Sequence, residues 1–387
     1  MARFGDGLAT GADLRRAAEE AVADALDGLD GTPDLVCVFV CSQDPGQVER
    51  VGARVAELTG ARVLIGCSAG GVIGGRRGVE GVGAVSVFTA VLPGARLRPF
   101  HLEVLPAQGG AAVVGLPEYD PGDDEEQVAL LLVDPYSFPA DGFVSQANLT
   151  LPGLAVVGGL AHGPRGAGST RLLLDGRTVE RGAVGVLIGG ASARTLVSQG
   201  CRPVGPAMTV TAAQGSVVHE LAGVPAVTRV KRLLAELPPL EQAMASSGLS
   251  LGIAMDEVVE DHDFLVRSIL GAQGTSLVVG DVVTVGQTVR LQVRDAEAAG
   301  ADLRAHLAAF RRGSAQPAGG ALLFSCNGRG AHLFGPSYGG ADHDPAAVSR
   351  ELALDGLAGF FAGGELGPVG GRNHLHGFTA SLLVFPA

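Results

Sequence analysis

Residues 35–75 decide the fold, and they read LVCVFVCSQDPGQVERVGARVAELTGARVLIGCSAGGVIGG. The run at 35–41 is apolar and rich in valine, which is typical of a strand covered on both faces. Apolar residues three or four apart predict a helix over 45–59, and 61–66 predicts a second buried strand. A glycine-rich stretch follows at 66–75. This order of strand, helix, strand and glycine loop predicts an α/β unit.

The same order recurs twice further along the chain. The second pass comprises 128–133, 141–149, 154–159 and 158–168, and the third comprises 321–326, 344–358, 363–371 and 375–385. Hairpin-like strands are interleaved with these segments, which argues against a doubly wound parallel sheet. The sequence therefore predicts an α/β (α+β) protein of mixed, largely antiparallel sheets layered with helices. Degenerate repeats of strand, helix, strand, glycine loop and strand build it.

Length and turn signals predict how the chain divides. A chain of 387 residues is long enough for two or three domains. The turn from Pro203 to Pro206, before a new helix, gives the best break near 205–220. We expect an N-terminal helix within 1–30, one domain at 31–210 and a second at 211–387.

Composition and charge exclude several classes of protein. The 60 glycines follow no Gly-X-Y period, which excludes collagen. A net charge of −12 repels phosphate backbones, so no nucleic-acid partner is expected. The sequence contains neither a signal-peptide core at the N-terminus nor an apolar run that predicts a membrane span. Five scattered cysteines then predict free thiols in the reducing cytoplasm.

The glycine loops predict where a ligand binds. Each of the stretches 66–75, 158–168 and 363–371 holds five glycines and follows a buried strand. Exposed backbone amides at strand ends often bind small molecules, although crowded turns need glycine equally. No phosphate-binding or dinucleotide-binding glycine pattern occurs, so no cofactor is expected.

Polar residues on or beside these loops are the predicted ligand contacts. They are Ser68, Asn148, His162, Cys326, Asn327, Arg329, Glu365, Asn373 and His376. Arg329 can clamp a carboxylate through two hydrogen bonds, and Glu365 can receive an ammonium group. That pairing suits a zwitterion such as an amino acid. The alternative is that Arg329 and Glu365 pair with each other or face solvent.

Catalytic and metal-binding alternatives are weaker. Residues 66–70 fit the G-x-S-x-G pattern of a nucleophile elbow, but the glycines after it do not predict the required helix. Cys67, Ser68 or Cys326 could serve as a nucleophile with His162 or His376 as the base. His374, His376 and Glu365 follow no recognised ligand spacing, so no metal is expected.

The sequence resembles the FIST family, a sensory module of bacterial signal-transduction proteins and of certain F-box proteins. The specific motifs are FSCNGRG at 324–330, GGELGPVGG at 363–371 and LHGFTA at 375–380, with ARVLIGCSAGGVIG at 61–74 in the N-terminal half. The resemblance covers about residues 31–387. It implies small-ligand binding, with amino acids or their derivatives as proposed ligands, and it transfers no catalytic residue.

Three functions fit these observations. The first is a cytoplasmic sensor of an amino acid or a related small polar metabolite. No kinase, cyclase, receiver or F-box segment is recognisable, so its output would pass through a separate signalling protein or a change of oligomeric state. The second is a thiol- or serine-dependent enzyme, and the third is a protein-binding scaffold. The sequence does not predict the oligomeric state.

Overall fold

The computed structural model describes residues 1–107, 110–119, 126–254 and 264–387. The chain forms two compact units. The first comprises residues 1–198, 303–375 and 379–387, and the second comprises residues 199–302 and 376–378. The second unit is thus an insertion within the chain of the first, and this division does not follow the linear order of 31–210 and 211–387.

The first part of the chain alternates strands with three helices. Its strands are β1 (Arg3–Thr10), β2 (Leu35–Cys41), β3 (Val63–Ala69), β4 (Gly71–Gly74), β5 (Arg77–Glu80), β6 (Ala84–Val91), β7 (Arg96–Ala107), β8 (Gly110–Val114), β9 (Gln127–Val133), β10 (Ala155–Leu160), β11 (Leu172–Leu174), β12 (Arg177–Val179), β13 (Ala183–Gly189) and β14 (Arg194–Gln199). Its helices are α1 (Leu14–Leu26), α2 (Pro45–Thr59) and α3 (Ala140–Thr150).

The remaining elements belong to the insertion and to the C-terminal part of the first unit. The insertion contains β15 (Cys201–Gln214), β16 (Val217–Leu221), β17 (Val224–Pro225), α4 (Ala226–Glu236), α5 (Pro239–Ser247), β18 (Leu249–Ala254), β19 (Phe264–Gln273), β20 (Ser276–Val279) and β21 (Thr288–Arg294), and it ends within α6 (Ala296–Arg312). The C-terminal part contains β22 (Ala318–Cys326), α7 (Ala331–Phe334), α8 (His343–Leu352), β23 (Gly356–Ala362), β24 (Glu365–Val369), β25 (Arg372–His376) and β26 (Thr379–Pro386).

Three mixed sheets of the first unit repeat one plan. In each sheet a parallel strand pair, joined by a helical connection, lies beside an antiparallel closing strand. The three sets are β2, β3 and β6; β9, β10 and β13; and β22, β23 and β26. The predicted threefold repeat and the α/β class with mixed sheets are therefore confirmed.

Each repeat gives its hairpin to the sheet of another repeat. Strand β4 of the first repeat pairs with β23 of the third, and β11 of the second repeat pairs with β3 of the first. Strand β24 of the third repeat pairs with β10 of the second, which completes the cycle. Each parallel pair would otherwise present an open edge of unpaired backbone groups. The exchange covers those edges and ties the three sheets together.

One glycine occupies the same place in each parallel pair. Gly66, Gly158 and Gly359 are the fourth residues of β3, β10 and β23. A β-carbon on any of them would lie 2.2 Å or less from a carbonyl oxygen of the partner strand. Only glycine lets the two strands approach this closely. These positions are the clearest sequence trace of the repeat.

Aromatic and aliphatic side chains from all three sheets fill the centre of the first unit. Phe39 of β2 stacks at a tilt on Phe360 of β23, with ring centroids 5.1 Å apart, and both rings contact Phe324 of β22 edge-on. The second repeat contributes aliphatic residues such as Leu132. Such offset and edge-on pairs add to the apolar burial that holds the sheets together.

The second unit is an antiparallel sheet with its own apolar core. Its strand order is β15, β21, β18, β19, β20, β16 and β17, and a further pairing of β15 with β16 closes the sheet on itself. None of the helices in the described ranges combines the length and the apolar character needed to cross a bilayer.

The structure corrects some of the predicted elements. A strand, β1, precedes the predicted N-terminal helix, and α1 then begins after its cap at Asp13. Gly5 and Gly7 of β1 pack against backbone carbonyls of α1, so glycine stands at two positions where a β-branched residue would help to predict a strand. The helix expected after the turn from Pro203 to Pro206 begins only at residue 226, and the predicted helix over 344–358 ends at residue 352 because β23 follows.

The glycine-rich stretches are also different from prediction. We expected loops at 66–75 and 363–371, but most of these residues lie in β3, β4 and β24. Their glycines lie in or beside strands at which the chain crosses from one sheet to the next. The second stretch, 158–168, is a loop only after β10 ends at residue 160.

The shared glycine position can be tested with a single methyl group. We expect Gly359→Ala to lower the free energy of unfolding by about 3 kcal/mol, because the Leu323 carbonyl oxygen occupies the place of the β-carbon. Urea unfolding followed by circular dichroism measures the change.

Gly142→Ala is the matched control for this test. It lies in α3, where a β-carbon has ample space, and alanine there should raise the free energy of unfolding slightly. Equal stabilities of the two variants would contradict the close-approach argument.

Candidate functional site

The end of β22 and the start of β24 bring three predicted site residues together. Cys326 is the last residue of β22, Arg329 follows in the next turn, and Glu365 begins β24. Arg329 and Glu365 have no exposed surface, and Cys326 is 5% exposed. We call Cys326, Arg329 and Glu365, with Asp344 and Thr379 that bind them, the third-repeat cluster.

Arg329 is held by a carboxylate of the protein itself. Its Nε donates to Asp344 Oδ2 at 2.8 Å, and its Nη2 donates to Asp344 Oδ1 at 3.0 Å. The Ser325 hydroxyl also donates to Asp344, and His343 Nδ1 lies 2.9 Å from its Oδ1. Burial raises the pKa of Asp344, but Arg329 and His343 lower it more, and the net pKa lies well below its usual range. Asp344 therefore stays ionised.

Glu365 is a buried carboxyl with one satisfied oxygen. Its Oε2 accepts hydrogen bonds from the Thr379 hydroxyl at 2.8 Å and the Thr379 backbone N–H at 3.2 Å. Its Oε1 has no hydrogen-bond partner among the described residues. Burial raises the pKa of Glu365 to about 8, and the bonds from Thr379, a bond from Cys326 and the charge of Arg329 lower it less. At neutral pH the group is mostly protonated.

Two predicted contacts, Asn148 and Asn373, bind each other. The Asn148 carboxamide bonds to both the backbone N–H and the backbone carbonyl of Asn373. The Asn373 carboxamide accepts from the Val156 N–H and donates to the Leu154 carbonyl, each at 2.8 Å. These bonds join α3, β10 and β25, so the two asparagines have a structural role.

Ser68 and His162 join the first and second repeats. The Ser68 hydroxyl donates to the His162 carbonyl at 2.7 Å and accepts from the Arg171 N–H at 2.9 Å. The exposed His162 ring lies beside Gly70, and partial burial lowers its pKa. This pair does not include any residue of the third-repeat cluster.

The remaining predicted residues are Asn327, His376 and Cys67. Asn327 is exposed next to Cys326, whose thiol points to its Oδ1 at 3.8 Å. His376 is buried and belongs to the second compact unit. Cys67 is fully buried, burial raises the pKa of its thiol, and β4 rather than a helix follows it. A nucleophile elbow is therefore absent at residues 66–70.

No group of three or more His, Cys, Asp or Glu side chains within the described ranges is arranged to hold a metal ion. Sequence reasoning did not single out Asp344 or Thr379. Asp344 lies one residue before Pro345 in the first turn of α8, a position where an acidic residue usually stabilises the helix. Its bond to Arg329 depends on how α8 folds back, which sequence spacing does not reveal.

Comparison with known proteins identifies the family. The FIST N domain matches residues 34–224 and the FIST C domain matches residues 226–368. The chain belongs to the FIST family. The junction of these two matches lies close to the predicted break near 205–220, whereas the inserted unit lies at 199–302.

Mycobacterial proteins are similar to this chain along nearly its whole length. An uncharacterized protein of Mycobacterium tuberculosis strain H37Rv is 43% identical over 392 residues, which cover 99% of both chains. An uncharacterized protein of Mycobacterium bovis is 40% identical over 391 residues, which cover 99% of this chain and 98% of the relative. FIST domains are associated with the sensing of small ligands.

The raised pKa of Glu365 predicts how stability depends on pH. Between the pKa of the unfolded chain, near 4.5, and about 8, the folded protein keeps a proton that the unfolded chain releases. The free energy of unfolding therefore falls as pH rises through this window, by up to about 1.4 kcal/mol per pH unit. Glu365→Gln should remove this contribution, which urea unfolding at several pH values measures.

Asp6 provides the control for the pH window. Burial raises the pKa of Asp6 to about 6. Asp6 therefore also makes the free energy of unfolding fall as pH rises, but only up to about pH 6. Asp6→Asn should flatten the pH dependence only below about pH 6. Identical slopes for Glu365→Gln and the unmodified protein between pH 6 and 8 would show that Glu365 is ionised there.

The Arg329–Asp344 pair predicts strong coupling between two mutations. Arg329→Met or Asp344→Leu alone leaves a buried charge without its partner and should cost about 3–5 kcal/mol. The double variant should cost less than the sum, since no charge remains buried. Urea unfolding of all four proteins measures the coupling.

The exposed pair Arg16–Glu20 of α1 is the comparison for this cycle. Exposed pairs contribute little, so its double-mutant cycle should show almost no coupling. Additive losses at Arg329 and Asp344 would contradict the buried ion pair.

Proposed function

We infer that this protein is a cytoplasmic sensor whose third-repeat cluster binds a small polar metabolite with an ammonium group, of which amino acids are the simplest. The observation that carries the proposal is the Oε1 atom of Glu365. It is fully buried and has no hydrogen-bond partner among the described residues. A buried polar atom without a partner is costly, and such groups concentrate at functional sites.

The charges of the cluster support an ammonium ligand. At neutral pH Glu365 is mostly protonated, and the Arg329 and Asp344 charges balance each other. An ammonium group beside Oε1 would favour the ionised form of Glu365 and restore that balance. The Arg329 guanidinium, now bound to Asp344, is the group that a ligand carboxylate would reach by competing with Asp344.

The buried position of Glu365 makes ligand access a conformational step. The turns after β22 contain Gly328, Gly330, Gly335, Gly339 and Gly340. Glu80 of β5 fixes this segment by accepting the Ala331 N–H at 2.8 Å. A small opening of the segment would expose Arg329 and Glu365, and a change of this kind is also what a separate signalling partner could detect.

Ligand binding should release protons. Glu365 has a pKa of about 8 without ligand, so an ammonium ligand at pH 7 should displace close to one proton. Affinity should then rise with pH, by up to about tenfold per unit below pH 8. Calorimetry in buffers with different ionisation enthalpies measures both quantities.

A thermal-shift screen of the standard amino acids and their amides would select the ligand for calorimetry. Ligand at about 100 times its dissociation constant should stabilise the folded state by about 2.7 kcal/mol. Glu365→Gln should lose the binding and the proton release, whereas the exposed substitution Glu118→Gln should keep both. No stabilisation of the folded protein by any of these compounds would contradict the proposal.

The contact between Cys326 and Glu365 favours a thiol-dependent enzyme as the second candidate. The Cys326 Sγ accepts the Gly328 N–H at 3.4 Å, and its thiol is hydrogen-bonded to Glu365. At neutral pH only the ionised minority of Glu365 can take the proton of this thiol, and this fraction grows as pH rises toward 8. Mass spectrometry after brief native treatment with iodoacetamide tests this, because a thiol-dependent enzyme requires Cys326 to react ahead of buried Cys37.

A further inference from the structure

The repeat relates the third-repeat cluster to a cleft elsewhere in the first unit. Cys41 faces Ala69 across the first parallel pair, and Cys326 faces Ala362 across the third. Both cysteines therefore end the first strand of their repeats at equivalent positions. A cleft of about 610 Å³ opens at Cys41, which lies within the size range of small-molecule sites.

The walls of this cleft come from four parts of the first repeat. They are the turn after β1, the segment after β2, the first turn of α2 and the turn between β5 and β6. The Gly11 N–H donates to the Gly83 carbonyl at 3.0 Å, and the Gly81 N–H donates to the Gly70 carbonyl at 3.3 Å. These bonds hold the walls together, so the cleft is largely preformed.

Polar side chains line this cleft. Among the described residues nothing bonds to the Thr10 hydroxyl or to the Gln43 carboxamide. The side-chain oxygen Oε1 of Gln47 accepts a hydrogen bond from the Ser42 hydroxyl at 2.9 Å. This bond orients the side chain and leaves its amide N–H₂ group for another acceptor. Together they offer donors and acceptors at one place.

The lining carries no ionised side chain within the described residues. Cys41 is its one titratable group, and burial raises the pKa of that thiol, which keeps it neutral. Leu14 and Val82 add apolar surface. No lining side chain offers an ion a direct opposite charge, so the lining itself favours uncharged ligands.

We propose that this cleft is a second ligand site, which binds an uncharged small molecule with adjacent hydrogen-bond donors and acceptors. Gln43, Gln47 and Thr10 bind its polar groups, and Leu14 and Val82 contact its apolar surface. Polyols and neutral carboxamides both present this chemistry. The site is separate from the third-repeat cluster, and its ligand differs in charge from an amino acid.

The test uses probes of both chemical classes. Saturation-transfer NMR and calorimetry measure binding of glucose and myo-inositol, as polyols, and of nicotinamide, as a carboxamide. Binding of either class supports the site and identifies which chemistry it takes. No saturable binding of any probe at millimolar concentration would overturn the proposal.

Charge-changing variants with nearly the same shape locate the binding. Gln47→Glu keeps the acceptor for Ser42 but replaces the free donor by a charge, and Gln43→Glu makes the same change beside it. We expect each to weaken binding about fivefold or more, the effect of one lost hydrogen bond. The matched control is Gln146→Glu on the exposed face of α3, which should leave the affinity unchanged.

Two further outcomes separate this proposal from the sensor site. Glu365→Gln should keep the binding of the uncharged probe, and Gln47→Glu should keep any binding of amino acids. Equal affinities of the unmodified protein, Gln43→Glu and Gln47→Glu for the probe would overturn the cleft as its site. Circular dichroism and the unfolding midpoint confirm that each variant is folded.

Discussion

The pairing of each hairpin with the sheet of another repeat is the constraint on which the first unit depends. A parallel strand pair with its helix leaves one edge of the sheet open, and an open edge must be paired or shielded. Here β4, β11 and β24 each close the edge of a different repeat. Every repeat therefore needs the other two, and the three inner faces share one apolar centre.

This exchange also places the third-repeat cluster. Glu365 is the first residue of β24, at the point where the chain leaves the sheet of β23 and joins that of β10. Where a strand crosses between two sheets, glycines allow the backbones to approach each other closely. The backbone groups that leave the hydrogen-bond ladder of one sheet also need new hydrogen-bond partners. The same place therefore collects glycines and buried polar side chains. Glycine enrichment therefore indicates where the chain crosses from one sheet to another. Among the described residues, only some of these crossings also carry a buried polar atom without a hydrogen-bond partner.

Much of the fold could be predicted from the sequence, because buried strands leave continuous apolar runs. The predicted strand over 35–41 has the same bounds as β2, and the predicted helix over 45–59 has the same bounds as α2. Strand β1 was missed because Gly5 and Gly7 provide space for α1 instead of side chains. The exchange of hairpins was not predictable either, since it depends on pairings between segments far apart in the chain.

Prediction of the site was limited in the same way. Arg329 and Glu365 could be singled out as charged residues within apolar, glycine-rich surroundings. Their partners Asp344 and Thr379 could not, because those contacts arise only when α8 and β26 pack. Asn148, Asn373 and Ser68 looked like ligand contacts for the same reason as Arg329, yet backbone groups bind their side chains. Residue type alone does not distinguish these cases.

The cyclic exchange of hairpins sets the order in which the sheet edges can be paired while the chain is synthesised on the ribosome. All strands of the sheet containing β2 have been made once residue 179 has emerged, whereas the edge of β10 waits for β24, about 200 residues later. Non-local pairings of this kind slow folding and leave sheet edges open to wrong partners in the meantime. For about half of its synthesis the nascent chain therefore leaves one edge of β10 without its partner strand, and the surroundings of Glu365 are among the last parts to form.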